Sequence, residues 1–118
     1  MRFSHASRVT REGDLEAARV QGKRIRTTQL EVRYIASPLH RPRVGVIVPR
    51  FGHTAVDRNG VKRRLREIAR TELLPTLAAI DVVIRASPRA YGATFETLRA
   101  AVRTAARQLP TNAGEATT

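Results

Sequence analysis

Lys62, Arg66 and Arg70 recur at four-residue intervals, with Arg58, Asn59 and Arg63 set among them. At about 100° per residue, a helix over positions 58–70 gathers Asn59, Lys62, Arg63, Arg66 and Arg70 on one continuous arc. Arg58 falls at the edge of that arc and Glu67 on its flank. Val61, Leu65, Ile68 and Ala69 share the opposite side, which suits a core. Like charges at i,i+4 spacing destabilise a helix by about 0.2–0.5 kcal/mol per pair, and Lys62–Arg66 and Arg66–Arg70 are two such pairs. An ordinary solvated helix mixes signs. A face of nearly one sign is better suited to neutralising phosphates, so these six polar residues are the candidate nucleic-acid contacts. The face alone does not separate RNA from DNA.

Residue sets that break bonds are not assembled in the sequence. His5, His40 and His53 lie in expected loops or the N-terminal arm, without partners at metal-ligand spacing. Asp57 and Glu96 sit in first helical turns, where a carboxylate complements the helix dipole. Asp81 reads as a strand-start residue. No Gly-rich phosphate loop, Ser-His-Asp order or paired-carboxylate motif is present. There is no cysteine, which excludes disulfides, zinc–thiolate sites and thiol nucleophiles. A protein whose own side chains carry out hydrolysis is therefore not expected.

The whole chain carries the same bias as the helix. Its 118 residues hold 22 Lys+Arg against 10 Asp+Glu, a formal charge of +12 that repels itself in a compact state unless a polyanion is bound. Lys23 and Lys62 are the sole lysines, and Arg suits forked contacts and stacking. With 42% hydrophobic residues, the chain is expected to fold as one modest domain. The first residues lack the apolar run of a secretory signal, and no stretch is long enough to span a membrane, so a soluble cytoplasmic protein is expected.

The elements that must position the basic helix follow from periodicity. Thr10 is placed to cap a helix over 11–21 that Gly22 stops, with a narrow apolar stripe at Leu15 and Ala18. Residues 22–26 read as a basic link. Leu30, Val32 and Tyr34 alternate with polar residues as in a half-buried strand, and Val44, Val46 and Val48 predict a deeper one. Gly45 there would admit another backbone or helix. The basic helix is expected over 56–74, ended by Pro75. Asp81-Val82-Val83-Ile84 predicts another strand, and Thr94 caps a last helix with Phe95, Leu98, Val102, Ala105 and Leu109 on its apolar face. The predicted fold is α+β, a small sandwich with helices packed on one side of the sheet and the basic helix inside a crossover. Residues 1–109 form the expected domain, beginning with a basic arm, and 110–118 a disordered tail.

Ala55-Val56-Asp57-Arg58-Asn59-Gly60-Val61-Lys62-Arg63-Arg64-Leu65-Arg66-Glu67 closely resembles the signature of the bacterial ribonuclease P protein component. That signature runs Ala-Val-x-Arg-Asn-x-x-Lys-Arg-x-x-Arg and then an acid or amide. Asp14-Leu15 with Gly22, and Asp81-Val82-Val83-Ile84 with Ala86 and Pro88, resemble the family's first helix and last strand. The resemblance spans about residues 3–109. It implies an α-β-β-β-α-β-α two-layer sandwich with a left-handed crossover around the signature helix. It also implies ribonuclease P RNA as partner, one protein per RNA, and precursor tRNA as substrate. The RNA would perform the hydrolysis with Mg2+ bound mainly by itself. The signature helix would contact that RNA, and a cleft between the first helix and the sheet would hold the 5′ leader.

Three positions depart from the family pattern. Gly60 replaces a second Arg after Asn59. Phe51 stands where a basic residue is common. The aromatic positions of the first helix correspond to Leu15 and Arg19, leaving Tyr34 as the expected stacking residue of a Leu15–Arg19–Tyr34 cleft. Two other functional classes remain open on the residues alone: a ribosomal or general RNA-binding protein of the same sandwich, and a metal-dependent nuclease acting by itself.

Overall fold

Alternation at Leu30, Val32 and Tyr34 does make a strand, and the sheet assembles around it. The computed structural model describes residues 8, 9 and 11–112. The elements are α1 (Glu12–Gln21), β1 (Lys23–Arg26), β2 (Leu30–Ala36), β3 (Arg43–Ile47), α2 (Ala55–Ile68), β4 (Ile80–Ala86) and α3 (Phe95–Ala106). The strand order is β1-β2-β4-β3. β2 pairs antiparallel with β1 and β4, whereas β3 runs parallel to β4. Parallel neighbours require a crossover, and α2 lies within it, as its place in the sequence implied.

Register sorts the side chains onto two faces. Val32 sits opposite Ile25 and Ile84, and Val44 opposite Val82, so these residues share one face. Val61, Leu65 and Ile68 of α2 and Leu98, Val102 and Ala105 of α3 pack over it in one cluster. Phe95, expected in that core, stays 39% exposed in the first turn of α3. The other face carries Glu31, Arg33, Gly45, Ile47, Val83 and Arg85. α1 lies across part of it. The two long helices thus take one side, while the first helix takes the other, so the expectation that the helices share one side of the sheet holds for α2 and α3 but not for α1. Gly45 makes this possible: a Cβ there would lie 2.8 Å from the Val9 carbonyl oxygen and 3.2 Å from the Leu15 side chain.

Three local readings of the sequence are revised. The basic link 22–26 contains β1, an edge strand whose sole buried side chain, Ile25, leaves no alternation to read. The α1 N-cap is Arg11, without a side-chain cap bond, and Thr10 lies outside the described residues. The basic helix stops being α-helical at Ile68 and continues as a π-turn over Ala69–Leu73, closed by Leu74 N–H to the Ala69 carbonyl at 3.0 Å. Thr71, whose hydroxyl donates to the Glu67 carbonyl at 3.0 Å, accompanies that loosening.

Both chain ends dock before they leave the described region. Val9 N–H donates to the Val44 carbonyl at 3.1 Å, and Val9 is buried against the outer edge of β3, where Arg8 bridges Val44. Toward the C-terminus, Ala78 N–H donates to the Pro110 carbonyl at 3.1 Å, and Asn112 N–H to the Thr76 carbonyl at 2.9 Å. The expected tail therefore begins too early at 110, because 110–112 are tied to the body. Residues 1–7 of the arm and 113–118 of the tail lie outside the described residues.

Candidate nucleic-acid interface

α2 is started by Thr54, whose hydroxyl accepts the Asp57 N–H at 3.1 Å, with Asp57 itself in the favourable first turn. Burial of Val61, Leu65 and Ile68 fixes the rotation of the helix and turns its basic side outward. Asn59, Lys62, Arg63, Arg66, Glu67 and Arg70 line a shallow groove of about 380 Å³ along that side. Arg58 points elsewhere. Its Nε donates to the Val48 carbonyl at 2.8 Å and an Nη donates to Asn59 Oδ1 at 3.3 Å, which clamps the helix start to the end of β3. A second concavity of about 240 Å³, between α2 and β3, is bordered by Arg8, Arg58, Lys62 and Arg66. Lys62 and Arg66 border both, so the six candidate residues divide between two adjoining hollows.

The electrostatics of these hollows are unbalanced. Burial holds the Lys62 ammonium below the usual lysine range, and the neighbouring Arg66 and Arg58 lower it further. Arg66 is also lowered, first by burial and then by Arg8 and Arg58. Neither has a carboxylate partner among the described residues. Each phosphate placed here would remove repulsion as well as add attraction. Arg70 differs: it is ion-paired with Glu67, which raises its pKa and lowers that of the glutamate. Glu67 was expected only on the flank, yet it lines the groove and takes up one of its cations.

Leu15 and Arg19 of α1 border a groove of about 380 Å³ against the sheet, with Glu31, Arg33, Val83 and Arg85 opposite. Tyr34 does not belong to it. Strand alternation places Tyr34 with Leu30 and Val32 on the other face, where its ring packs against the core cluster. The charged residues that replace it had no role assigned from sequence. Arg33 donates to the Arg19 carbonyl at 2.7 Å and to Glu31 at 3.0 Å. Burial would raise the Glu31 carboxyl, but Arg33, Arg24 and Arg26 outweigh it and hold it low. The signal that could have found these residues was parity: Glu31 and Arg33 alternate with the core positions, so any helix on the far face must meet them.

The comparisons with known proteins agree with the resemblance. The sequence profile of the family described as Ribonuclease P matches residues 3–110. A ribonuclease P protein component from Mycobacterium avium is 34% identical over 114 residues, covering 92% of this chain and 95% of its own. One from Acidothermus cellulolyticus is 35% identical over 95 residues, 79% of each chain. Among solved structures, the RNase P protein from Thermotoga maritima superposes with a TM-score of 0.76 at 22% identity, over 86% of this chain and 96% of its own. A Staphylococcus aureus RNase P protein mutant described as having defective mRNA degradation activity gives 0.77 at 22% identity, over 84% of each. These two structural matches speak to the fold.

Proposed function

This chain belongs to the ribonuclease P protein family, and we propose that it is the protein subunit of a ribonuclease P ribonucleoprotein that matures the 5′ end of tRNA. The observation that carries this reading is the α2 groove, where Lys62, Arg63 and Arg66 stand in the signature register without carboxylate partners among the described residues. In this reading α2 binds ribonuclease P RNA, one protein to one RNA, and the α1 cleft takes the single-stranded leader of precursor tRNA. The bacterial cytoplasm is the proposed setting.

The chemistry is assigned to the RNA. Among the described residues no group of three His, Asp or Glu side chains is placed to cage a metal ion. Mg2+ prefers octahedral sites rich in water and phosphate oxygen, which the RNA supplies and this donor set does not. The protein's part is electrostatic and positional. Cations along α2 offset the repulsion between two polyanions, and a leader held in the cleft fixes the cleavage site relative to the RNA.

Reconstitution with ribonuclease P RNA at low divalent-ion concentration tests the proposal. Cleavage of precursor tRNA at its mature 5′ end by the complex, and by neither component alone under those conditions, is the expected result. A protein that bound many structured RNAs equally well and left cleavage unchanged would be a general RNA-binding protein instead. Cleavage by RNA-free protein would overturn the assignment of chemistry to the RNA.

A further inference from the structure

Three rings meet where the chain leaves β3 and enters α2, outside both the basic groove and the α1 cleft. The Tyr91 hydroxyl donates to the Pro49 carbonyl at 2.8 Å, which fixes the ring in place. His53 lies flat against it, with centroids 3.8 Å apart and planes 3° from parallel. Phe51 packs against it in a T-shaped arrangement, with centroids 6.4 Å apart and planes at 90°. Phe51 has φ 49° and is followed by Gly52 at φ 86°. The left-handed region is uncommon for a bulky residue and strains its backbone. That strain is spent on an aromatic side chain that remains 42% exposed.

The surroundings of Phe51 indicate what it meets. It borders a hollow of about 300 Å³ together with Arg26, Glu31, Arg85 and Pro88. Glu31 and Arg85 also border the α1 cleft, so the two hollows adjoin. Glu31 is already ion-paired with Arg33 at 3.0 Å and lies 3.6 Å from Arg26. Arg85 is exposed and has no ion-pair or hydrogen-bond partner among the described residues. A ring face beside an uncommitted cation, at the end of a cleft, is the pattern with which proteins hold unpaired nucleotides: the ring stacks a base and the cation meets a phosphate.

We infer that Phe51, braced by Tyr91 and His53, is a stacking platform for an unpaired base of the strand in the α1 cleft, with Arg85 contacting an adjacent phosphate. This rests on the reading that the cleft holds the leader of precursor tRNA. It supplies a stacking surface that α1 lacks, since Glu12, Leu15, Glu16 and Arg19 are the residues its cleft-facing side offers, none of them aromatic. Stacking is tolerant of base identity, so the platform would register leader length more than leader sequence.

The test uses the complex reconstituted with ribonuclease P RNA and precursor tRNAs whose leaders are shortened one nucleotide at a time to none. Phe51→Ala, Phe51→Leu and Phe51→Trp are compared; all are unbranched at Cβ and meet the same backbone strain. Phe51→Ala and Phe51→Leu are expected to lose about 5- to 150-fold in affinity for long leaders, while Phe51→Trp keeps it. The loss should vanish once the leader is trimmed past one particular nucleotide. Wild-type affinity in Phe51→Leu would overturn stacking in favour of apolar packing. A loss that persists without any leader would place Phe51 against the tRNA body or in the fold, and overturn the platform. A wild-type complex indifferent to leader length overturns the cleft reading too, whereas one that senses the leader but not Phe51 overturns the platform alone.

Discussion

Arg43 and Asp81 are register partners at the first positions of β3 and the second of β4, and their side chains form a buried, two-pronged ion pair. The guanidinium Nε lies 2.8 Å from one carboxylate oxygen and an Nη 2.5 Å from the other. The same Nη reaches Asp14 of α1 at 3.2 Å. One arginine therefore ties the parallel strand pair to the helix that walls the cleft. Asp81, read from sequence as a strand-start residue, is the buried half of this tie.

Removing one partner of a buried pair leaves an uncompensated charge and costs about 3–5 kcal/mol. Asp81→Asn should lower the stability measured by urea unfolding by that order. Arg43→Met combined with Asp81→Leu should cost clearly less than Asp81→Asn, because no charge is left stranded. Asp14→Asn, at the half-exposed end, should leave global stability nearly intact but speed amide exchange in α1. Equal losses for Asp14→Asn and Asp81→Asn would show that burial is not what sets the energy.

Gly60 sits in the second turn of α2, and a Cβ built there would meet nothing closer than an Arg64 Nη at 3.6 Å. No steric reason keeps glycine at this position. Gly60→Ala should stabilise the protein by about 0.5–1 kcal/mol in thermal or urea unfolding. Gly60→Arg should gain similarly and also tighten RNA binding at low salt. Destabilisation by Gly60→Ala would mean that the helix geometry here is not ordinary.

Leu65 is fully buried beneath the basic side of α2, so truncation opens a cavity in the core. Leu65→Ala should cost about 2–5 kcal/mol. Arg63→Ala, one turn's fraction away on the exposed side, should change stability by less than about 0.5 kcal/mol. The reverse order in unfolding midpoints would assign the two faces of the helix the other way round.

Lys62 gives a pH prediction with a definite sign. Its folded-state pKa is below the ordinary lysine value, so the folded protein is penalised while Lys62 is charged. That penalty is present below the folded pKa and disappears as pH rises through it toward the unfolded value. A bound phosphate should draw the pKa back up. Just below the usual lysine range of about 10.4, RNA binding should therefore take up protons. Calorimetric titrations in buffers of differing ionisation enthalpy should show that uptake, and Lys62→Gln should abolish it. Uptake unchanged in Lys62→Gln would locate the titrating group elsewhere.

Periodicity made most of the scaffold legible before any coordinates. β2 and β3 carry a two-residue pattern, β4 a short apolar run, and α2 and α3 a 3.6-residue pattern, and Gly45 announced a close approach that Val9 and Leu15 make. β1 was not legible because an edge strand with one buried residue has no alternation. The docking of residues 9 and 110–112 runs through backbone hydrogen bonds, which leave no mark on side-chain type. Tyr34 is the instructive case. Its alternation with Leu30 and Val32 already placed it on their face, but the face that α1 covers is set by Gly45 and by the β2–β4 register, which only tertiary pairing reveals. The ion pair at Arg70 likewise depended on where Glu67 turned.

The salt dependence of RNA binding bears most directly on α2 as the RNA face. Replacing Lys62, Arg63 and Arg66 together with Gln removes three cations from partly or fully exposed positions and should leave the unfolding midpoint nearly unchanged. Each phosphate contact contributes about −0.7 to −0.9 to the slope of log affinity against log salt. The triple variant should bind ribonuclease P RNA more weakly at low salt, with a slope shallower by about two to three. An unchanged slope in a folded triple variant would contradict the assignment and place the RNA on another surface.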